Sequence, residues 1–242
     1  MLCGCDFRQP QRPVVRLSAA ASLGPSLEAL KPRIEAELGI TLRLNLAGSG
    51  TIARQLIDGA PADAVILAHP AWIDAVTSTH RANVQSKVDL LSNTLVVVGR
   101  GGEMELGELR DAERFRRIAL GDPASVPAGR YAEQALRPVG VWEEIQSRLV
   151  TTADVRAALR YAQIGEVNAA VVYASDVTGL AEVSPQDRNS LAVLCRIDPA
   201  RHEPIVISAA AIDRSAEGRR LIDWLRSEAA RDVFVEQGFI PR

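Results

Sequence analysis

Apolar and polar positions along this chain change period again and again. "VVRLS", from Val14, alternates in the manner of a strand, and Leu27, Leu30, Ile34 and Leu38 then recur at helical spacing. "TLRLNLA" alternates once more, and "TIARQLIDGA" reads as a short helix closed by Gly59. "DAVILA" has the length of a buried strand, and "PAWIDAV" after it reads as a helix with Pro70 near its start. "NTLVVVG" and "RIALG" read as strands. "AGRYAEQALRPVG" reads as a helix ending near Pro138 and Gly140, and "DVRAALRYAQIG" as one with Val155, Leu159 and Ala162 on one face. "NAAVVYA", "LAVLCRI" and "EPIVISAAAI" read as strands, and two amphipathic helices close the chain between Ser215 and Gly238. This alternation predicts an α/β fold with a mainly parallel sheet covered on both faces. Ligands of such sheets lie at the carboxyl ends of strands, against helix N-termini.

Four of those strand-to-helix corners share one chemistry. "AAASLGPS" puts Ser22 before a helix with Pro25 in its first turn. "LAGSGTIARQ" does the same with Gly48, Ser49, Gly50 and Thr51. In "GDPASVPAGRYAEQAL", Pro127, Ala128 and Gly129 open a helix, and in "TTADVRAAL", Asp154 and Val155 open another. A helix N-terminus presents N–H groups without intrahelical partners and carries roughly half a positive elementary charge, so it receives an anion without any cation. Small side chains let an oxyanion reach the backbone, and a Ser hydroxyl adds one rotatable donor. Each corner taken singly is equally compatible with Ser22, Ser49, Thr51 or Asp154 acting as an ordinary helix cap.

Composition narrows the function classes. The chain has 242 residues, a formal charge of −2 and only 4% aromatic residues, which gives no electrostatic footprint or stacking platform for nucleic acid. No apolar run approaches the roughly 20 residues that span a bilayer. The cysteines, Cys3, Cys5 and Cys195, and the histidines, His69, His80 and His202, lack metal-ligand spacing, and Cys195 in "LAVLCRI" reads as a small apolar core residue. No Gly-x-Ser-x-Gly elbow, His–Asp pairing or phosphate-binding P-loop occurs, so catalysis is not expected. "GRGGE" reads as a strand-end turn.

"LSAAASLGPSLEAL", "AGSGTIARQLIDGAPADAVILA", "NTLVVVG", "GDPASVPAGRYAEQAL", "ADVRAAL" and "VVYASD" follow the order and spacing of the periplasmic molybdate-binding proteins. These are the substrate-capture components of bacterial molybdate ABC importers, and the likeness runs from about Val14 to the C-terminus, including "VFVEQGFI". The resemblance implies a type II periplasmic binding protein, with two α/β lobes joined by crossover strands and a ligand cleft between them. Residues 14–91 plus 203–242 would form lobe 1, and residues 92–202 lobe 2. It implies molybdate or tungstate as ligand, no cofactor, a membrane permease as partner and a monomer that binds no nucleic acid. The family's ligand contacts fall on Ser22, Ser49, Ala128, Val155 and Tyr173, which would contact the oxyanion's oxygens with no direct metal-ion ligand. The glycines flanking Ser49, where some relatives have serines, are expected to loosen that loop. Asp63, Asp122, Asp154 and Asp176 are expected to point away from a dianion, and Arg130 to be solvated.

Residues 1–13 read as a leader or tether. "LCGC" resembles the end of a bacterial lipoprotein signal in which Cys5 would carry the lipid, without the usual upstream hydrophobic stretch. The expected location is periplasmic or otherwise extracytoplasmic. A receptor for another tetrahedral oxyanion such as sulfate, or an enzyme on a related two-lobed scaffold, are the alternatives. A transcription regulator with this fold would need a DNA-binding helix-turn-helix upstream.

Overall fold

Each corner is the place where a strand hands over to a helix, and the computed structural model, which describes residues 12–78, 84–178, 190–212 and 215–242, arranges them in two sheets. β1 (Val14–Ala20) passes through a 3-10 turn at Ala21–Leu23 into α1 (Gly24–Leu38). β2 (Thr41–Ala47), α2 (Ser49–Ile57), β3 (Ala64–Leu67), α3 (Pro70–Ser78) and β4 (Val84–Ser92) follow. The chain then crosses into the second sheet with β5 (Leu95–Arg100), β6 (Ile118–Gly121), α4 (Pro127–Leu136) and α5 (Trp142–Ile145). β7 (Leu149–Thr152), α6 (Val155–Gln163), β8 (Ala169–Tyr173) and β9 (Leu191–Arg196) complete that sheet. It returns with β10 (Ile207–Ile212), α7 (Ala216–Leu225), α8 (Glu228–Glu236) and β11 (Ile240–Pro241).

The first sheet runs β11-β4-β10-β3-β1-β2 and the second β7-β6-β8-β5-β9. The expectation of a mainly parallel sheet needs correction, because both sheets are mixed. β1 lies parallel to β2 and β3, and β6 to β7 and β8, but β10 is antiparallel to β3 and β4, and β5 to β8 and β9. The reason is the crossing. β4 leads into β5, and β9 into β10, without the α-helix that a parallel connection uses. Two helix-less links between the sheets make a two-lobed type II binding-protein fold.

The links are bound side by side. Ser92 Oγ donates to Ile205 O at 2.7 Å, and Asn93, buried between the lobes, donates from Nδ2 to Ser175 Oγ at 2.7 Å. The first sheet separates two apolar cores by strand alternation: Ile66 and Ala209 face the helices α1, α7 and α8, while Val65, Leu67 and Ala210 face α2 and α3. The second sheet has its own core, built on β5, β6 and β8. β4 and β7 were not legible in the apolar pattern. Cys195 is half-buried on β9 and packs at the margin of that core rather than within it, and its desolvation raises the thiol pKa. The lipidation reading of Cys5, together with Cys3 and His80, lies outside the described residues.

Candidate anion-binding site

The carboxyl ends of β1, β2 and β3 face those of β6, β7 and β8 across the cleft. One pocket lies between them. The first lobe lines it with Ala20, Ala21, Ser22, Gly48, Ser49 and Ala68, and the second with Val126, Pro127, Ala128, Asp154, Val155 and Tyr173. All five residues singled out in the sequence, Ser22, Ser49, Ala128, Val155 and Tyr173, are brought together here. The four corners therefore converge, which spacing alone could not establish. Among the described residues, no Lys, Arg or His is in the lining.

The capping alternative holds for one corner. Asp154 Oδ1 accepts from Ala157 N at 2.8 Å and is an ordinary N-cap of α6. Ser49 is the first residue of α2, after the N-cap Gly48, and its Oγ accepts from Ala68 N at 3.0 Å. A hydroxyl that accepts in this way keeps its one proton for donation. Thr51 Oγ1 accepts only a long 3.5 Å contact from Arg54. Ser22 and Tyr173 are buried, and neither Ser22 Oγ nor Tyr173 OH has a hydrogen-bond partner. An unsatisfied buried hydroxyl costs about 1–3 kcal/mol, so one on each side of the pocket marks a place suited to an acceptor. Burial pushes the Tyr173 phenol well above its usual range, which keeps it a neutral donor.

Asp154 lines the pocket, and the other three acids do not. Asp63 accepts from Arg16 N at 2.8 Å, and Asp122 from Ala124 N at 3.0 Å and Ser125 Oγ at 3.1 Å. Asp176 accepts from Tyr173 N at 3.2 Å and lies 3.6 Å from the Arg156 guanidinium. Burial, only partly offset by Arg156, pushes its carboxyl up to about 7. Arg130 is half-exposed, pairs with Glu203 at 3.2 Å and does not line the pocket.

The walls meet closely. Gly50 N donates to Ser125 O at 3.1 Å across the cleft. A Cβ at Gly50 would lie 2.6 Å from Ser125 O, and one at Gly48 only 2.3 Å from Ala153 O. The glycines thus do the opposite of loosening the loop: lacking side chains, they let α2 close on the facing backbone. The enclosed space is about 10 Å³, room for one water-sized sphere, so the lobes must part to admit a four-oxygen anion. A wider groove of about 460 Å³, lined by sequence neighbours of these residues, has Arg54 and Trp72 on one side and Asp122 and Thr152 on the other. Sequence reasoning missed Ala68. Its signal was its place at the end of β3, a third strand terminus beside the two first-lobe corners.

Residues 15–240 match the family described as bacterial extracellular solute-binding protein. The chain is 30% identical over 249 aligned positions to Molybdate-binding protein ModA of Haemophilus influenzae, covering 99% of this chain and 94% of that one. It belongs to the periplasmic molybdate-binding proteins. ModA of Escherichia coli K12 is 29% identical over 234 positions, covering 93% of this chain and 88% of the relative. The Azotobacter vinelandii periplasmic molybdate-binding protein has the same fold, with a TM-score of 0.79 at 19% identity over 93% of this chain and 98% of that one. The family is one of solute-binding proteins rather than enzymes, and the likeness carried by "VPAGRYAEQAL" and its companions is borne out. No helix among the described residues is long and apolar enough to cross a membrane.

Proposed function

We propose that this chain captures molybdate, and tungstate as well, between its lobes outside the cytoplasm and delivers it to the membrane permease of an ABC importer. Lobe 1 comprises residues 14–91 plus 203–242 and lobe 2 residues 92–202, with residues 1–13 as a tether. The observation that carries this reading is the pocket between the sheets, walled by four strand-to-helix corners without a cation, where Ser22 Oγ and Tyr173 OH are buried without partners. Ser22 and Ser49 offer hydroxyl and backbone N–H groups, Ala128 and Val155 offer first-turn N–H groups of α4 and α6, and Tyr173 offers its hydroxyl. Hydrogen bonds to a charged group contribute about 1.5–3 kcal/mol each, and a closed cleft strengthens them by excluding water.

A lining rich in hydroxyl and backbone N–H donors also selects. Phosphate keeps a proton near neutral pH, and placing that O–H turns a Ser or Tyr hydroxyl from donor to acceptor, which costs the anion one donated bond. Molybdate, tungstate and sulfate carry no such proton. Sulfate is smaller and underfills the donor ring, whereas tungstate and molybdate are nearly equal in size. Release follows opening, which returns the second-lobe donors to water and leaves no fixed cation on the anion. Competitive calorimetric titration tests the reading: stoichiometric binding of molybdate and tungstate, with weaker binding of sulfate and phosphate, is expected. Preference for phosphate, or no oxyanion binding at all, ends it.

A further inference from the structure

Tyr131 is the largest fully buried side chain that the binding reading does not use. It sits on α4, three residues beyond Ala128, and faces the first lobe. Its hydroxyl reaches Ala68 O at 3.5 Å. The single phenol proton has Ala68 O as its acceptor. Ala68 in turn donates its own N–H to Ser49 Oγ at 3.0 Å. The end of β3 is thus held from both sides, by the second lobe at its carbonyl and by the anion-site serine at its amide.

The surroundings fix the phenol in place. The His69 and His202 rings lie 5.8 and 5.6 Å from the Tyr131 ring. His69 Nε2 approaches Glu203 at 3.3 Å, and Glu203 is tied to α4 through Gln134 in both directions, at 3.0 and 3.1 Å. Of these, the His69–Tyr131 ring contact and the Gln134–Glu203 pair cross from one lobe to the other, while His69–Glu203 lies within the first lobe and Tyr131–His202 within the second.

We propose that Tyr131 is a positioning residue that couples closure of the lobes to the Ser49 hydroxyl, through Ala68. Closure brings the phenol onto Ala68 O and steadies the strand end. The Ala68 N–H then occupies a lone pair of Ser49 Oγ and leaves its proton for the anion. Opening withdraws the phenol, and the Ser49 donor loses its fixed direction. Anion affinity and closure reinforce each other through preorganisation of this one donor. The proposal rests on the oxyanion reading above.

A double-mutant cycle read by calorimetric titration with molybdate tests it. Tyr131→Phe keeps the ring and removes the hydroxyl, and is expected to weaken binding about 3- to 10-fold, the range of one neutral hydrogen bond. Combined with Ser49→Ala it adds nothing to the loss of Ser49→Ala alone. Combined with Ser22→Ala, which has no link to Ala68, its loss multiplies in full. Equal multiplication with both serines, or unchanged affinity in Tyr131→Phe, overturns the coupling while leaving the oxyanion reading intact. A wild-type protein that binds no oxyanion overturns both. Should Tyr131→Phe fail to fold, amide exchange in the wild type serves instead. Molybdate is expected to slow exchange of the Ala68 N–H at least about tenfold, and unchanged exchange overturns the proposal.

Discussion

The two lobes supply the same kind of hydrogen-bond donor by different means. In the first lobe the candidate donors include side-chain hydroxyls beside backbone N–H groups, Ser22 in a 3-10 turn and Ser49 at the start of α2. In the second, Ala128 and Val155 have no polar side chain, and the donors are the first-turn N–H groups of α4 and α6, with Tyr173 the one hydroxyl. A side-chain donor can be deleted by substitution. A backbone donor is set by where its helix begins, which Pro127 and the Asp154 cap decide here. The first lobe is therefore chemically fragile and the second geometrically fragile.

The largest expected effect comes from geometry. Gly48 has an extended backbone that alanine adopts without strain, but its Cβ would meet Ala153 O at 2.3 Å. The clash exists only when the lobes are closed. Gly48→Ala should therefore weaken molybdate binding by roughly 100-fold or more, about 3 kcal/mol, while the unliganded protein melts within a few degrees of wild type. Titration and thermal denaturation on one sample decide it. Unchanged affinity would mean that binding does not need the lobes this close.

Deleting the side-chain donors comes next. Ser22→Ala and Tyr173→Phe should each cost about 1–3 kcal/mol of anion affinity. Each also removes a buried hydroxyl that has no partner, so the unliganded protein should be as stable as wild type or gain up to about 1 kcal/mol. Ser49→Ala should lose affinity similarly but also lose about 1–2 kcal/mol of stability, because it strands the Ala68 N–H. Val155→Ala should reverse the pattern. It trims a buried side chain and costs roughly 1–2 kcal/mol of stability, yet keeps the backbone donor and leaves affinity within about threefold. A large affinity loss in Val155→Ala would break the division between the lobes.

This division explains which parts of the site could be read from the chain. Ser22 and Ser49 announce themselves as hydroxyls at strand-to-helix corners, whereas Tyr173 was marked only by the family resemblance. Ala128 and Val155 carry no chemical signal of their own and came from the family motif around them. Ala68 and Tyr131 were missed because their roles depend on which strand end faces which helix, a tertiary fact. Among the elements, the strongly apolar strands β3, β5, β8 and β10 were plain. β4, with Gln85, Ser86, Lys87 and Asp89, and the short β7 were not, because edge and crossing strands need no continuous apolar run. The mixed sheets followed from the missing helices at the two crossings, a clue present in the sequence but outweighed by the strand–helix alternation elsewhere.

The smallest effect expected on anion affinity, with the change falling on stability instead, is on the second-lobe side. Asp176 is buried beneath Tyr173, and burial raises its carboxyl from 3.8 to about 7 against the pull of Arg156. The folded state therefore keeps its proton after the unfolded chain has released it. Stability from this group is fully present below pH 4, falls as pH rises from about 4 to about 7, and is flat above. Asp176→Asn has no proton to lose and retains an acceptor for Tyr173 N. Its melting temperature relative to wild type should climb across that window and level off beyond it. Melting curves of the two proteins that run parallel from about pH 4 to 8 would mean that Asp176 titrates alike in both states, and that Arg156 offsets its burial in full.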